Sequence, residues 1–164
     1  MRGERWEHID NMSSEPFSIE PVVLIQEVFP GDTNAYNTLF GGRLLSMMDT
    51  AAGIVSSKFA HRQFVTVSID ALKFKKPAYQ GDLIEVTAKV VFTSTHTAGC
   101  HVVARRIDRS VWETEDICFG FFFMVAIDSQ MRPIPIPQFE PQNAEEQQLW
   151  DEAKAARDAM KSND

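Results

Sequence analysis

A chain of 164 residues is the size of one domain, and with 44% hydrophobic residues it can bury a core of its own. Its formal net charge of −7 speaks against a general affinity for nucleic acid, which rests on a basic field. The longest strongly apolar run, residues 117–127, is well short of the roughly 20 residues that a bilayer-spanning helix needs, so no membrane partner is expected. The charged opening MRGERWEHIDNM lacks the apolar stretch of a secretory signal, and Cys100 and Cys118 sit in apolar runs where a free thiol packs as a small core residue. A cytoplasmic location is the expectation.

In chain order, VVLIQEVF (22–29) is β-branched and apolar and closes on the turn cluster Pro30, Gly31, Asp32, which predicts a first strand. Irregular residues 33–40 lead to Gly41 and Gly42, which open a long helix, RLLSMMDTAAGIVSSKFA. Leu44, Met48, Ala51, Val55 and Phe59 make one face of it, while Leu45, Met47, Ala52 and Ile54 occupy others. A helix apolar nearly all round is a buried one.

Four extended stretches follow. In FVTVSIDALKF (64–74), Val65, Val67, Ile69 and Ala71 alternate with Thr66, Ser68 and Asp70; in DLIEVTAKVVF (82–92), Ile84, Val86, Ala88, Val90 and Phe92 share a face. CHVVARR (100–106) and the doubly apolar ICFGFFFMVAI (117–127) complete the set, the last predicted as a central strand. Pro133, Pro135 and Pro137 end the sheet region, and residues 143–161 carry the composition of a peripheral helix around Leu149 and Trp150. The fold class is α+β: an antiparallel sheet of about five strands wrapped round one buried helix, with residues 1–17 as a flexible N-terminal segment, 18–138 as the domain and 139–164 as a helical tail. Such a sheet leaves strand edges open, so pairing of two copies is expected.

Within the buried helix, Asp49 is the single ionisable residue between Arg43 and Lys58. A carboxylate taken out of water without partners costs several kcal/mol, so it needs a partner or a function. Gly41 and Gly42 lie where unpaired N–H groups and a positive dipole end make an anion site open to close backbone approach. Asn34 in the feeding loop has an amide able to orient a water or a carbonyl. His8, His61, His96 and His101 show no zinc-like spacing, so no metal is expected.

The stretch GDTNAYNTLFGGRLLSMMD resembles the acyl-CoA thioesterases of the hotdog fold, the group of bacterial broad-range acyl-CoA hydrolases and the cytosolic brain acyl-CoA hydrolase. VTVSIDALKFKKP matches that family's second strand, STHT stands where its Gly-Thr-Thr-Ser turn lies, and the resemblance spans roughly residues 22–137. It implies an acyl-CoA hydrolase of lipid metabolism with Asp49 as the catalytic carboxylate, Asn34 as its partner from the neighbouring subunit, and Gly41 and Gly42 as donors to the thioester oxygen. It also implies a homodimer assembled as a trimer of dimers, and no cofactor beyond the coenzyme A of substrate and product. Phe40, Gly41, Val67, Ser68, Lys76, Thr95, His96, Thr97 and Arg105 are then the substrate-binding candidates, the pantetheine lying along residues 65–69 and the phosphates near Lys76 and Arg105. Met47, Met48 and Ile54 are expected to wall the acyl slot. The sequence departs from the family at Asn37, where a turn glycine is usual, and at Ser94 and His96 in the turn; Asn is the residue that best tolerates a left-handed backbone.

Two routes fit Asp49: deprotonation of a water, or direct attack giving an anhydride that water opens. A dehydratase of related fold would carry a histidine on this helix, which has none. The alternative class is a non-catalytic acyl-CoA-binding module, against which the acid itself and the lack of a preceding basic helix-turn-helix both count.

Overall fold

The computed structural model describes residues 15–162. Strand β1 (Val22–Glu27) leads through a 3-10 turn (Pro30–Asp32) to helix α1 (Gly41–Ala60); strands β2 (Gln63–Phe74), β3 (Leu83–Thr93), β4 (Thr97–Asp108) and β5 (Glu113–Ile127) follow, and helix α2 (Ala144–Ser162) closes the chain. All five strands are antiparallel in one sheet, in the order β1-β3-β4-β5-β2, with β1 and β2 as its edges. This is the hotdog arrangement that the resemblance implies, with the doubly apolar β5 inside the sheet. Among the described residues, no helix is long and apolar enough to cross a membrane.

The sheet curls round α1 because both surfaces are apolar and each must cover the other. Leu44, Met48, Ala51, Val55 and Phe59 are buried against Ile84, Val86, Ala88, Val102 and Phe122. Burial of a side chain the size of Phe59 or Phe122 contributes about 1.5–3 kcal/mol. The helix ends at His61, whose left-handed backbone (φ 51°) turns its N–H onto the Ser57 carbonyl. Phe17 stacks on the His61 ring at 3.8 Å and donates its N–H to Phe59 O. Of the N-terminal segment expected over residues 1–17, residues 1–14 lie outside the described residues.

The outer face of the sheet carries a smaller cluster, where Val91, Phe92, Phe121 and Phe123 pack under Leu149, Trp150 and Ala153 of α2. Phe92 was expected to share a face with Ile84, Val86, Ala88 and Val90, but a register shift between Val90 and Phe92 turns it outward. One extra residue reverses the side of everything beyond it.

Strand β2 shows the same effect twice. Register shifts fall between Thr66 and Ser68 and between Asp70 and Lys73. As a result the inner face passes from Phe64 and Thr66 before the first shift to Ile69 and then Leu72, while Val67 is 47% exposed. The simple alternation of Val65, Val67 and Ile69 therefore does not survive in the structure, and Thr66, in the polar half of that alternation, faces α1.

Beyond β5, residues 133–139 run across the sheet end. Ile134 N–H donates to Ala126 O and Ile136 N–H to Thr95 O, while the intervening prolines need no acceptor. Gln138 and Phe139 complete the attachment through the Thr93 hydroxyl and the Ser94 carbonyl.

Candidate active site

Asp49 projects from the flank of α1 toward edge strand β2. Its Oδ1 accepts the Thr66 hydroxyl at 2.5 Å, and Thr66 Oγ1 also lies 3.4 Å from Met124 Sδ. Thr66 and Met124 are cross-strand partners on the inner face, so the sheet register places this hydroxyl opposite the acid. Among the described residues, Oδ2 of Asp49 has no hydrogen-bond partner. The carboxylate is only partly buried, which leaves that oxygen open to a water or a substrate carbon. Thr66 was absent from the residues expected to form the site. Its hydroxyl looked like the solvent side of an alternating strand, and the bulge beside it gives no signal in a single sequence.

The start of α1 is built by its own turn. Asp32 accepts the Phe29 N–H on Oδ2 (2.9 Å) and the Arg43 Nε on Oδ1 (3.1 Å), while its carbonyl takes the Phe40 N–H. Of the first four N–H groups of the helix, those of Arg43 and Leu44 donate to Phe40 O. The N–H groups of Gly41 and Gly42 remain, and among the described residues no side chain caps them. The Phe40 ring lies over Gly42 so closely that an added Cβ would sit 2.6 Å from it, which is why a side chain at 42 would displace the ring.

Asn34 folds its side chain onto its own loop. Its Oδ1 accepts the N–H groups of Tyr36 and Thr38, and its Nδ2 donates to Thr38 Oγ1 at 2.8 Å, leaving one N–H of the amide uncommitted. Asn37 holds the left-handed conformation (φ 63°) at the position where the family uses glycine. Among the described residues, no hydrogen bond joins Asn34 to Asp49 within the chain. Seven residues of helix separate Gly42 from Asp49, which is roughly 10 Å along the axis.

The remaining candidates divide into groups. Gly41 and Lys76 line one cleft of about 350 Å³ together with Leu44, Phe74, Lys75 and Pro77. Lys76 approaches Glu115 at 3.6 Å with both side chains well exposed, and Lys75 lies over the Phe119 ring at 4.8 Å. Arg105 is on the other face of the sheet, in a groove with His101 and Lys89 beside α2, and it is paired with Asp116 (2.9 Å) and Glu85 (3.5 Å). Arg106 and Arg109 are likewise engaged, by Asp82 and Glu27. Thr95, His96 and Thr97 form the turn at the far end, where Thr97 pairs with Val125 and is buried while Thr95 is exposed. Lys76 follows the Phe74–Cys118 pair, seven residues of β5 away, so turn and lysines stand roughly 20 Å apart. Val67 occupies the bulge on the exposed edge, and the Ser68 hydroxyl is buried on the outer face without a hydrogen-bond partner among the described residues. Met47 and Met48 are both buried in the core, whereas Ile54 is 43% exposed.

Burial without a charge partner pushes the Cys100 thiol up to about 12, only partly offset by the Ser56 hydroxyl 3.2 Å away. Burial also lowers His101 below its ordinary value, against the opposing pull of Glu152. Among the described residues, no cluster of His, Cys, Asp and Glu side chains has the makings of a metal site.

Comparison with known proteins accords with this geometry. The thioesterase superfamily model matches residues 36–113. An uncharacterized acyl-CoA thioester hydrolase of Bacillus subtilis, YkhA, is 36% identical over 132 residues, covering 80% of this chain and 77% of that protein. A hexameric acyl-CoA thioesterase solved in its apo form superposes with a TM-score of 0.83 at 32% identity, over 90% of this chain and 95% of the other. The acyl-CoA hydrolase of Staphylococcus aureus, solved with butyryl coenzyme A, coenzyme A and coenzyme A disulfide, gives 0.81 at 29% identity over 90% of each chain. That enzyme has also been solved with alanine replacing an asparagine, a threonine and an aspartate in turn. The chain belongs to the hotdog-fold acyl-CoA thioester hydrolases.

Proposed function

We propose that this protein hydrolyses acyl-CoA to a free carboxylic acid and coenzyme A, with Asp49 as general base or nucleophile, Thr66 as the residue that positions it, and Asn34 and Gly42 at the reacting carbonyl. The observation that carries this is the half-buried Asp49, fixed through one oxygen by Thr66 and open at the other. The spacing in the relative supports it. The three residues replaced by alanine in the Staphylococcus aureus enzyme are fifteen and then seventeen positions apart, and so are Asn34, Asp49 and Thr66.

In the general-base route, the free oxygen of Asp49 takes a proton from water, the water oxygen bonds to the thioester carbon, and the C–S bond breaks. The proton passes to the leaving thiolate. In the covalent route Asp49 attacks the carbonyl carbon, the C–S bond breaks and coenzyme A leaves as thiolate; water then opens the resulting anhydride, restoring the Asp49 carboxylate and giving a proton to the thiolate. Both routes place negative charge on the carbonyl oxygen, which backbone N–H groups such as those of Gly41 and Gly42 stabilise best at about 3 Å.

A base and an oxyanion donor roughly 10 Å apart on one helix do not meet at the same carbonyl. Two copies side by side resolve this, with Asp49 of one facing the helix start and Asn34 loop of the other. Edge strand β2 supports pairing, since it leaves a row of backbone groups free beside exposed Val67 and Ile54. The hexamer formed by the apo relative suggests a trimer of such dimers. Lys75 and Lys76, beside Gly41, suit the anionic end of coenzyme A better than the doubly paired Arg105. A cytoplasmic setting suits the two free thiols.

The test is thiol release from acyl-CoAs from acetyl to palmitoyl, by the wild type and by Asp49→Asn. Turnover of some chain lengths by the wild type, with retained coenzyme A binding but almost no turnover in Asp49→Asn, is the expected result. Binding of acyl-CoA by the wild type without thiol release would make the protein a sensor instead.

A further inference from the structure

One turn beyond Asp49 the helix carries a glycine. Gly53 stands at i+4 from the acid, on the same flank of α1, and it is partly exposed. A glycine in the interior of a helix is roughly 1 kcal/mol less favourable than alanine, so its presence needs a reason. Backbone geometry does not supply one, because the one glycine with positive φ among the described residues is Gly81. Packing within the chain does not supply one either. At Gly99 and Gly120, inside β4 and β5, a Cβ would come within 3.1 Å of its neighbours. At Gly53 it would meet only the Met124 methyl among the described residues, at 3.9 Å, which is ordinary contact. The fold has room for a side chain at 53 and leaves it unfilled.

The position of that room decides its use. Helical side chains lean toward the N-terminus, so one at 53 would stand over the turn that bears Asp49. There the acid is held through Oδ1 by Thr66 and keeps its other oxygen open. A thioester carbon within reach of that oxygen, or of a water on it, has its next atoms within about 6 Å of residue 53. The N–H and C=O groups of the helix are bonded to one another here, and the adjoining Ile54 is 43% exposed. This wall therefore offers contact to carbon and no backbone hydrogen bond. The amide-bearing arm of coenzyme A gains nothing from it, whereas an alkyl chain does.

We infer that Gly53 sets the size of the acyl group: the first carbons beyond the reacting carbonyl pass over its bare Cα, and a side chain there restricts the enzyme to short chains. This selecting role rests on the function proposed above. In the paired copies this flank faces the neighbour, and the missing side chain keeps a gap between them for the substrate. The competing occupant of the gap is the neighbour itself, packed closely on the helix.

The test compares the wild type with Gly53→Ala and Gly53→Leu, by thiol release from acyl-CoAs from acetyl to palmitoyl. Calorimetric binding of the same compounds is measured with Asp49→Asn added to each, so that the thioester stays intact. Sedimentation gives the assembly of every variant, and thermal denaturation its stability. Gly53→Ala adds one methyl where space exists and keeps the test open should leucine hamper folding. The expected result is that kcat/KM for octanoyl-CoA relative to acetyl-CoA falls about tenfold or more in Gly53→Leu and less in Gly53→Ala. The affinity ratio in the Asp49→Asn background falls with it, the assembly is unchanged, and Gly53→Ala melts at or above the wild-type temperature. Chain-length ratios like those of the wild type would overturn the inference, as would a wild type that neither binds nor turns over any chain longer than acetyl. A changed assembly in either variant would also overturn it, giving the gap to the second copy. If the wild type releases no thiol while the affinity ratio still follows residue 53, the catalytic reading falls and the selecting role in acyl-CoA binding stands.

Discussion

The two long helices, α1 of 20 residues and α2 of 19, pack on opposite faces of the same sheet and are made of opposite material. Helix α1 is apolar round most of its circumference, and its one central acid, Asp49, projects toward an open sheet edge. Helix α2 is rich in charge and rests on a few residues such as Leu149, Trp150 and Ala153 above Phe92, Phe121 and Phe123. A charge on α2 costs little because water is at hand. On α1 a charge persists only where something uses it.

That contrast predicts that the inner flank governs turnover and the outer face governs stability. Asp49→Asn should lower kcat by a factor of about 100 or more with a melting temperature within a few degrees of wild type, measured by thiol release and thermal denaturation. A large loss of stability instead would make Asp49 a structural residue. Phe123→Ala, on the outer face, should cost about 3 kcal/mol in denaturant unfolding and leave kcat of the folded enzyme unchanged. Thr66→Val keeps the shape and removes the hydroxyl; we expect kcat to fall about tenfold with KM nearly constant, since one hydrogen bond to a charged group contributes about 1.5 kcal/mol.

The smallest effect concerns His101 beneath α2. Its ring packs at a tilt against Phe121, 5.3 Å between centres, and it faces Glu152 and Arg105, with Lys89 directly across the strand pair. Burial holds its folded-state value below the ordinary 6.5, so the unfolded chain takes up the proton first as pH falls. Stability should therefore be full above about pH 7 and decline as pH drops through 6.5 toward the lower folded value, below which this contribution is flat. His101→Gln should remove that slope, read from denaturation midpoints between pH 5 and 8.

The elements themselves were legible in the sequence because apolar periodicity and turn residues are local signals. The helix from Gly41, the first strand, the doubly apolar central strand and the tail helix all stand where composition puts them. Asp49 was legible for a physical reason too, as a lone charge among apolar neighbours. Thr66 was not, because a hydroxyl costs little on either side of a strand and its side depends on how β2 pairs with β5. The turned-out Phe92 escaped for the same reason, since bulges are set between strands. Arg105 looked as available as Lys76, and only the fold shows that it is held by Asp116 and Glu85 on the other face.

The stretch from Pro133 to Pro137 has a further consequence. It is extended and apolar, with Ile134 and Ile136 donating inward and a proline at each alternate place. Its outward side has no N–H to offer, so an unfolded neighbour or a nascent chain finds no ladder to extend there. The protein thus finishes its sheet region with a ribbon whose N–H groups bond on one side only, which carries the chain from β5 to α2 without adding another strand to the sheet.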